Sequence, residues 1–326
     1  MTESELDVHR GAAEIAAALR ADVREGLAAE QKWLPSKWFY DAAGSRLFEE
    51  ITALPEYYPT RSEREVLARE AGTIAEVTCA HTLVELGSGS SEKTRLLLDG
   101  LRAHGSLRTF VPLDVSESAL AEAVQSILAG YPGLDVRGVV GDFTEHLGLL
   151  PGQPPRLVVF LGGTIGNFLP AERAKFLHAV RDVLAEDEWF LLGTDLVKDP
   201  ATLVRAYDDA AGVTAAFNRN VLRVVNDVLG ADFDPDAFEH VAHWDAGNEW
   251  IEMRLRAREA VRVAIPGADM AVSLAAGEHI RTEISAKFRR EGVAGELADA
   301  GFAVEHWWTD AAERFGVSLA RAVSAA

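Results

Sequence analysis

Glycines and an acidic residue follow the first apolar strand of the sequence in a pattern that suits a nucleoside. Residues 85–91 (Glu-Leu-Gly-Ser-Gly-Ser-Ser) come directly after a strand predicted over 82–86 and open a helix. Glycine lets a ligand approach the backbone without meeting a Cβ atom, and a helix N-terminus offers unpaired N–H groups. The turn has Gly87 and Gly89 but not the third glycine of a dinucleotide-binding turn, and Glu92 would repel a pyrophosphate. The pattern therefore favours a nucleoside without pyrophosphate, or else only a tight turn.

Two further acidic side chains stand at the ends of the next two apolar strands. Asp114 follows the strand predicted over 109–113, and Asp142 and Phe143 end the strand after it. A carboxylate at the position of Asp114 can accept hydrogen bonds from both ribose hydroxyls, although Asp114 or Ser116 could equally cap the next helix. Asp142 beside an aromatic residue resembles the adenine clamp of methyltransferases, in which the carboxylate accepts a hydrogen bond from the exocyclic amine and the ring or backbone flanks the base.

These three groups together resemble the cofactor site of S-adenosylmethionine (SAM)-dependent methyltransferases. Glu-x-Gly-x-Gly after the first strand resembles the first motif of those enzymes. The carboxyl ends of successive strands are where open α/β sheets bind ligands. The sequence therefore predicts a SAM site. An NAD(P) dehydrogenase is the alternative, since Asp114 would serve either cofactor.

Residues 162–168 (Gly-Gly-Thr-Ile-Gly-Asn-Phe) follow the fourth strand, where many SAM methyltransferases face the reacting atoms. Enzymes that methylate nucleic-acid amines often carry a proline pair after an Asn or Asp here, and this chain has none. Asn167 could still meet an amine, or it could simply occupy a left-handed turn. The net charge of −19 also disfavours phosphate backbones and anionic membranes. We therefore expect a small-molecule substrate, no nucleic acid and no membrane.

Apolar strands that alternate with helices predict an α/β fold with a doubly wound, Rossmann-like sheet. The third, fourth and fifth strands are expected to end near Asp142, at Gly162 and near Asp195, and two more strands close the chain. Their continuous apolar runs are typical of strands buried on both faces. A helix is predicted over 61–78, and residues 1–9 look frayed.

A second, smaller substrate-binding domain is expected beside this sheet, because 326 residues are enough for two domains. An amphipathic helix over 10–30 and an aromatic arm over 33–63, either a lid or a core-wrapping arm, belong to it. Residues 200–250 look helical, 249–265 and 269–276 alternate like two antiparallel strands, and 278–300 look partly helical. We assign 1–61 and 199–285 to the substrate domain and 62–198 plus 286–326 to the SAM-binding domain.

Cys79 is the only cysteine, which excludes an intramolecular disulfide and any cysteine-cluster metal site. We expect it to be a buried residue at a helix end. The acidic first residues do not resemble a signal peptide, and no stretch of about 18 apolar residues could span a membrane. A cytoplasmic location is therefore expected.

Several long segments resemble the histidine N-alpha-methyltransferase family. They are PSKWFYDAAGSRLFEEITALPEYYPTRSE, LVELGSGSSEKT, VVFLGGTIGNF, GTDLVKD and RAYDDAAGVTAAFNRNVL. The resemblance runs from about residue 20 to the C-terminus. It implies SAM-dependent trimethylation of the α-amino group of L-histidine to hercynine, the first step of ergothioneine biosynthesis. We expect a monomer, and we expect no metal because the sulfonium of SAM is already activated.

The resemblance also implies which residues bind each ligand. The SAM contacts would be Gly87, Lys93, Asp114, Asp142 and Phe143. For histidine, it implies that Tyr57, Asn167 and Tyr207 contact the substrate, that Glu283, Ile284 and Ser285 hold the imidazole, that Tyr40 and Phe48 flank the amine, and that Gly162 and Met253 line the pocket. Tyr40, Asn167 and Glu283 form the expected catalytic set.

Methyl transfer from SAM requires mainly that the protein position the amine relative to the methyl group. The sulfonium of SAM is already activated, so the amine must arrive neutral and in line with the methyl–sulfur bond. Tyr40 or water is the candidate base for the protons shed in the first two transfers. The motifs also fit a SAM methyltransferase of another small amine, amino acid or protein N-terminus, or a SAM-binding regulatory module without turnover.

Overall fold

The computed structural model describes residues 5–9 and 11–324, which form thirteen strands, nine α-helices and five short 3₁₀ turns. The strands are β1 Glu5–Val8, β2 Thr82–Leu86, β3 Thr109–Asp114, β4 Asp135–Val140, β5 Arg156–Phe160, β6 Trp189–Asp195, β7 Phe238–Asp245, β8 Trp250–Ala257, β9 Val261–Ile265, β10 Met270–Leu274, β11 His279–Ala286, β12 Phe302–Thr309 and β13 Phe315–Ala322. The helices are α1 Ala12–Ala28, α2 Ala42–Ala53, α3 Pro59–Thr78, α4 Thr94–His104, α5 Glu117–Gly130, α6 Pro170–Val183, α7 Pro200–Tyr207, α8 Val213–Leu229 and α9 Arg290–Asp299.

The described residues fall into two compact units. Unit 1 consists of 5–9, 59–197 and 287–324, and unit 2 consists of 11–58 and 198–286. Residues 5–9 and 59–61, which the sequence places in the substrate domain, belong to unit 1, and residues 198 and 286, which it places in the SAM-binding domain, belong to unit 2. The first two ranges belong to unit 1 because β1 pairs with a strand of the unit 1 sheet, and because α3 begins at Pro59 as part of unit 1.

Unit 1 is built on one eight-stranded sheet in the order β1-β4-β3-β2-β5-β6-β13-β12. The first six strands run parallel, and β13 and β12 are antiparallel to their neighbours. The chain moves from β2 through β3 to β4 on one side, and then from β5 to β6 on the other. The prediction of a doubly wound α/β sheet is confirmed, and the carboxyl ends of β2 and β5 meet at its switch point.

Strand β1 corrects the expectation that residues 1–9 are frayed. Its four residues pair in parallel with β4 over Arg137–Val140. Residues 1–4 lie outside the described part of the chain. Nothing in Glu-Leu-Asp-Val marks a strand by itself, because the pairing depends on a partner more than a hundred residues away.

Unit 2 contains a three-stranded antiparallel sheet, in the order β11-β8-β7, and the β9–β10 hairpin. Helix α1 buries Leu19, Val23 and Leu27 in the core of this unit, as its four-residue spacing predicts. The prediction that 200–250 is helical is wrong over β7. Residues 249–265 form two strands and not one, because the exposed residues 258–260 separate β8 from β9. Residues 279–286, which were expected to be partly helical, form β11.

Cys79 is exposed, which contradicts the expectation of a buried residue. It follows the end of α3 with a left-handed backbone (φ 45°), so its side chain leaves the buried face of the helix. No helix within the described residues is both long enough and apolar enough to cross a membrane.

Candidate functional sites

The loop after β2 has a glycine-dependent conformation and an open side. Gly87 and Gly89 have φ angles of +68° and +49°, which L-residues rarely adopt. The N–H groups of Gly87 and Ser88 donate to the Leu113 carbonyl oxygen at 2.8 and 3.0 Å. A Cβ atom on Gly89 would meet nothing within 4 Å. The buried Ser88 Oγ has no hydrogen-bond partner within the described residues, so this loop offers both space and a donor to a ligand.

Asp114 ties this loop to the end of β3. Its Oδ2 accepts a hydrogen bond from the Gly89 N–H at 2.8 Å, and its Oδ1 accepts one from the Ser116 N–H at 2.9 Å. Burial raises the pKa of the Asp114 carboxyl, and these backbone hydrogen bonds oppose the rise. Helix α5 is capped by the Ser116 hydroxyl, which accepts from the Ala119 N–H. The carboxylate therefore holds the glycine loop in place rather than capping the helix.

Asp142 and Phe143 follow β4 at the same edge of the sheet. Asp142 Oδ1 accepts hydrogen bonds from the Thr144 N–H at 2.9 Å and from its hydroxyl at 2.6 Å. The half-buried Phe143 ring packs edge-on against Phe160 with a centroid distance of 5.1 Å, and it lies 3.5 Å from where a Gly87 Cβ would stand. The aromatic ring thus stands beside the glycine loop.

Glu63 of α3 connects two groups predicted to bind ligands, and the sequence analysis missed it. Its fully buried carboxylate forms an ion pair with Lys93 and accepts the Gly162 N–H at 2.9 and 3.0 Å. The pattern that could have revealed it is a charged residue on the buried face of α3, beside Val66 and Leu67. Glu63 therefore fixes the Lys93 side chain and the turn after β5 at once.

Two glycines adopt the left-handed backbone conformation in the turn after β5. Gly162 and Gly163 have φ angles of +79° and +72°, and a 3₁₀ turn over Thr164–Asn167 follows. Asn167 is not among the residues with positive φ, so the alternative that it serves as a left-handed turn residue is wrong. Its side chain is half-buried. Gly162 and Asn167 both belong to unit 1.

Glu85 is a buried carboxyl beneath the glycine loop. It accepts hydrogen bonds from the Ser91 hydroxyl at 2.8 Å and from the Thr94 hydroxyl. Burial raises its pKa to about 7, which the hydrogen bonds from Thr94 and Ser91 only partly oppose. Its protonation state therefore changes near neutral pH.

Replacing Glu85 by glutamine should make the stability of the chain less dependent on pH. Because the pKa of Glu85 is higher in the folded than in the unfolded state, its favourable contribution is complete below about pH 4.5 and is lost as the pH rises through about 7. Glu85→Gln should therefore gain on the order of 1–3 kcal/mol over the wild type between about pH 5.5 and about pH 8. Denaturant unfolding at the two pH values measures this difference.

The exposed carboxyl of Glu92 in the same loop supplies the control. A pH-dependent gain of the same size in Glu92→Gln, or none in Glu85→Gln, would contradict the assignment to Glu85.

A pocket in unit 2 is lined by aromatic rings and by the Glu283 carboxyl. The space between these side chains amounts to roughly 300 Å³, part of which is open to solvent. The residues expected to bind substrate that line it are Tyr40, Phe48, Tyr57, Tyr207, Met253 and Glu283. The lining residues that the sequence analysis missed are Ile51, Ala206, Thr214 and Phe217.

The aromatic arm supplies one wall of this pocket through rings that touch edge to face. Tyr40 packs against Phe48 and Phe217 with centroid distances of 5.6 and 5.5 Å. Tyr57 packs against Phe48 and Tyr207 at 6.2 and 6.3 Å. Because other rings of the arm are part of the unit 2 core, the arm is a core-wrapping segment whose pocket-facing rings are held by packing.

The arm is anchored to helix α8 just beside Tyr40. Asn220 donates to the Phe39 carbonyl oxygen at 3.2 Å and to Asp41 Oδ1 at 2.8 Å. Asp41 Oδ1 also caps α2 by accepting the Gly44 N–H at 2.7 Å. These contacts fix the backbone on both sides of Tyr40.

Strand β11 brings the three residues expected to hold an imidazole to unit 2, but not to one face. Ser285 Oγ lies 2.7 Å from the Tyr207 hydroxyl, so two side chains expected at opposite ends of the substrate contact each other. Ile284 lies opposite Glu252 in register and is not among the lining residues. Glu283 lines the pocket and lies opposite Met253, another lining residue.

The chain is similar to known methyltransferases along most of its length. The family described as "Histidine-specific methyltransferase, SAM-dependent" matches residues 19–322. The chain is 59% identical to the histidine N-alpha-methyltransferase of Mycolicibacterium smegmatis over 94% of this chain and 95% of that protein. It is 55% identical to the enzyme of the same name from Mycobacterium tuberculosis, over 93% and 94%.

A more distant relative is a longer protein. The ergothioneine biosynthesis protein 1 of Neurospora crassa is 33% identical over 60% of this chain, which corresponds to 23% of that protein. Because the family model matches nearly the whole length of this chain, the chain belongs to the histidine-specific, SAM-dependent methyltransferases.

Proposed function

We propose that the chain transfers three methyl groups in succession from SAM to the α-amino group of L-histidine, which gives hercynine and opens ergothioneine biosynthesis. The observation that carries the proposal is the unit 2 pocket. It joins an acidic residue to tyrosine and phenylalanine rings in a chain that is 59% identical, over 94% of its length, to a histidine N-alpha-methyltransferase. The Neurospora crassa relative named for ergothioneine biosynthesis supports the place in the pathway.

Unit 1 is the proposed SAM-binding domain, and its residues fit that molecule. The open backbone at Gly89 and the buried hydroxyl of Ser88, which has no partner among the described residues, suit a closely approaching polar ligand. The remaining lone pairs of Asp114 would accept the ribose hydroxyls, and Asp142 and Phe143 would hold the adenine. Bound SAM supplies a methyl group on a sulfonium, which needs no further activation.

Unit 2 is the proposed histidine-binding domain. Glu283 would accept a hydrogen bond from an imidazole N–H, and the Tyr207–Ser285 hydroxyl pair would offer donors to the polar ends of the substrate. The rings of Tyr40 and Phe48 would surround the amine as it becomes a permanent cation, an arrangement favoured by cation–π attraction.

The protein's part in each transfer is to bind, orient and exclude water. The amine must be neutral to attack, so the pocket must accept a proton in each of the first two transfers. The Tyr40 hydroxyl, or a water beside it, is the proposed acceptor. The third transfer leaves no proton on the nitrogen, and the product carries a fixed positive charge.

Incubation with SAM and L-histidine, followed by mass analysis, tests the proposal. We expect products with one, two and three added methyl groups and one S-adenosylhomocysteine per transfer. A panel of other amino acids, small amines and a peptide with a free N-terminus serves as the control for substrate class. Higher kcat/KM for another amine would overturn the choice of histidine. No S-adenosylhomocysteine from any amine would favour a module without turnover, and binding of NADH but not SAM would favour a dehydrogenase.

A further inference from the structure

Strand β11 contains one extra residue next to the pocket. Arg281 lies opposite Arg254 on β8, but Glu283 lies opposite Met253, so Thr282 has no partner of its own. Such an insertion is a β-bulge, which shifts the alternation of side chains between the two faces by one residue. A bulge beside a binding pocket commonly re-aims a side chain.

The bulge determines on which face of the sheet the Glu283 carboxyl lies. Met253 and Glu283 both line the pocket. Arg254, by contrast, pairs with Glu252 on the other face of the sheet, and Arg281 lies opposite it. In a regular strand Glu283 would share a face with Arg281, since residues two apart point the same way. The extra residue is therefore what turns Glu283 into the pocket.

A buried polar network holds the bulged residue. The Thr282 hydroxyl lies 2.6 Å from Asn218 Oδ1 and 3.0 Å from the Met253 carbonyl oxygen. Asn218 Nδ2 donates to the Arg254 carbonyl oxygen at 3.1 Å and to His240 Nδ1 at 2.8 Å. Asn218 and Thr282 are 0% and 1% exposed, so each of these bonds would be costly to lose. The network spans the site of the bulge on β8 and β11.

The same network reaches the backbone of Tyr207. His240 Nε2 lies 2.7 Å from the Tyr207 carbonyl oxygen. Burial lowers the pKa of His240, so the imidazole is neutral, accepts at Nδ1 and donates at Nε2. Both nitrogens of His240 and both ends of the Asn218 amide are therefore satisfied, which is the condition for a buried polar network to be rigid.

We propose that Asn218 and Thr282 are positioning residues that set the histidine selectivity of the pocket, because they hold the bulge that points Glu283 into it. The inference rests on the proposed function and deepens it. Neither residue need touch the substrate. Their loss should affect recognition of the imidazole more than binding of SAM, whose proposed contacts lie in unit 1.

Two substitutions at one position separate the hydroxyl from the shape of the side chain. Thr282→Val keeps the branched shape but removes the donor to Asn218 and Met253. Thr282→Ser keeps the hydroxyl. We expect Thr282→Val to raise the Kd of histidine at least about tenfold, because a misplaced carboxylate loses a hydrogen bond to a charged group that contributes about 1.5–3 kcal/mol. Thr282→Ser should stay within about threefold of the wild type, and the Kd of SAM should stay within about twofold in both. Titration calorimetry gives both constants.

Asn226 on the same helix provides a control for mere destabilisation. Its side chain exchanges two hydrogen bonds with the Phe233 backbone, at 2.8 and 3.0 Å, and it is not a lining residue. Asn226→Ala should lower the melting temperature but leave the histidine Kd and the preference for histidine over leucine unchanged. If Asn226→Ala lowers this preference as much as Thr282→Val, the effect comes from stability and the proposal is wrong.

Asn218→Ser gives a second, independent measurement should Thr282→Val not fold. It should lower the kcat/KM ratio of histidine to leucine at least about tenfold. If the wild type methylates histidine but either folded variant binds histidine with an unchanged Kd, the proposal is wrong. A wild-type protein that does not methylate histidine would instead overturn the proposed function.

Discussion

Replacing Glu283 by alanine should weaken histidine binding by about 10- to 100-fold and leave the affinity for SAM within about twofold. The Glu283 side chain lines the unit 2 pocket opposite Met253. A hydrogen bond to a charged group contributes about 1.5–3 kcal/mol when it is sheltered from water. Titration calorimetry with each ligand in turn measures both affinities, and steady-state kinetics should show the loss mainly in KM for histidine.

A carboxylate on the other face of the same sheet is the matched control. Glu239 of β7 pairs with Arg256 across the strands, so Glu239→Ala removes a similar charge from the surface that does not line the pocket. It should leave histidine affinity unchanged. Glu283→Gln keeps a hydrogen-bond acceptor and should fall between the wild type and Glu283→Ala. Unchanged histidine affinity in Glu283→Ala would show that the imidazole is held elsewhere.

The parallel sheet was predictable because its strands carry their own pattern. β2, β3 and β6 are buried along their whole length, and each is mostly apolar and ends at or just before a polar residue or a glycine. The ends of such strands also locate the proposed SAM contacts. For Asp114 and Asp142, residue type and position at a strand end were sufficient to propose a role.

Strand β11 was not predictable from its sequence, because its polar residues beside the pocket interrupt the alternation of apolar residues that marks a strand. Thr282 and Glu283 interrupt the expected alternation at the bulge. Ser285 faces the Tyr207 hydroxyl and not an apolar core. A strand whose inner face binds polar groups therefore lacks the period-two apolar pattern that marks a strand. The family resemblance identified these residues, whereas local pattern placed them partly in a helix.

Contacts between side chains and groups far apart in the chain could not be predicted from the sequence either. Nothing local connects Glu63 with Gly162, 99 positions apart, or Tyr207 with Ser285, 78 positions apart. Lys93 was assigned to SAM by resemblance, but its buried partner could only be found once α3 was placed against the sheet. Such partners decide the charge and orientation of a site residue, and they depend on the fold as a whole.

Replacing Glu63 by alanine should lower both the stability of the chain and its affinity for SAM. The substitution removes the buried partner of Lys93 and the acceptor of the Gly162 N–H. Breaking a buried ion pair costs about 3–5 kcal/mol, less here because Lys93 is 22% exposed and can turn toward water. A loss of about 3 kcal/mol in a unit of this size lowers the melting temperature by on the order of 10 °C. Calorimetry of SAM binding should show at least about a tenfold loss.

Glu63→Gln separates the two effects, because an amide keeps one function of the carboxylate and loses the other. Its oxygen can still accept the Gly162 N–H, while its NH₂ group cannot pair with the Lys93 ammonium. The part of the stability that comes from the Gly162 hydrogen bond should therefore return, whereas the SAM affinity should stay low if Lys93 must be held by a charge. Glu76→Ala, which removes an exposed carboxyl from the same helix, should change neither quantity by much. Wild-type SAM affinity in Glu63→Gln would show that the ion pair stabilises unit 1 without orienting Lys93 for the cofactor.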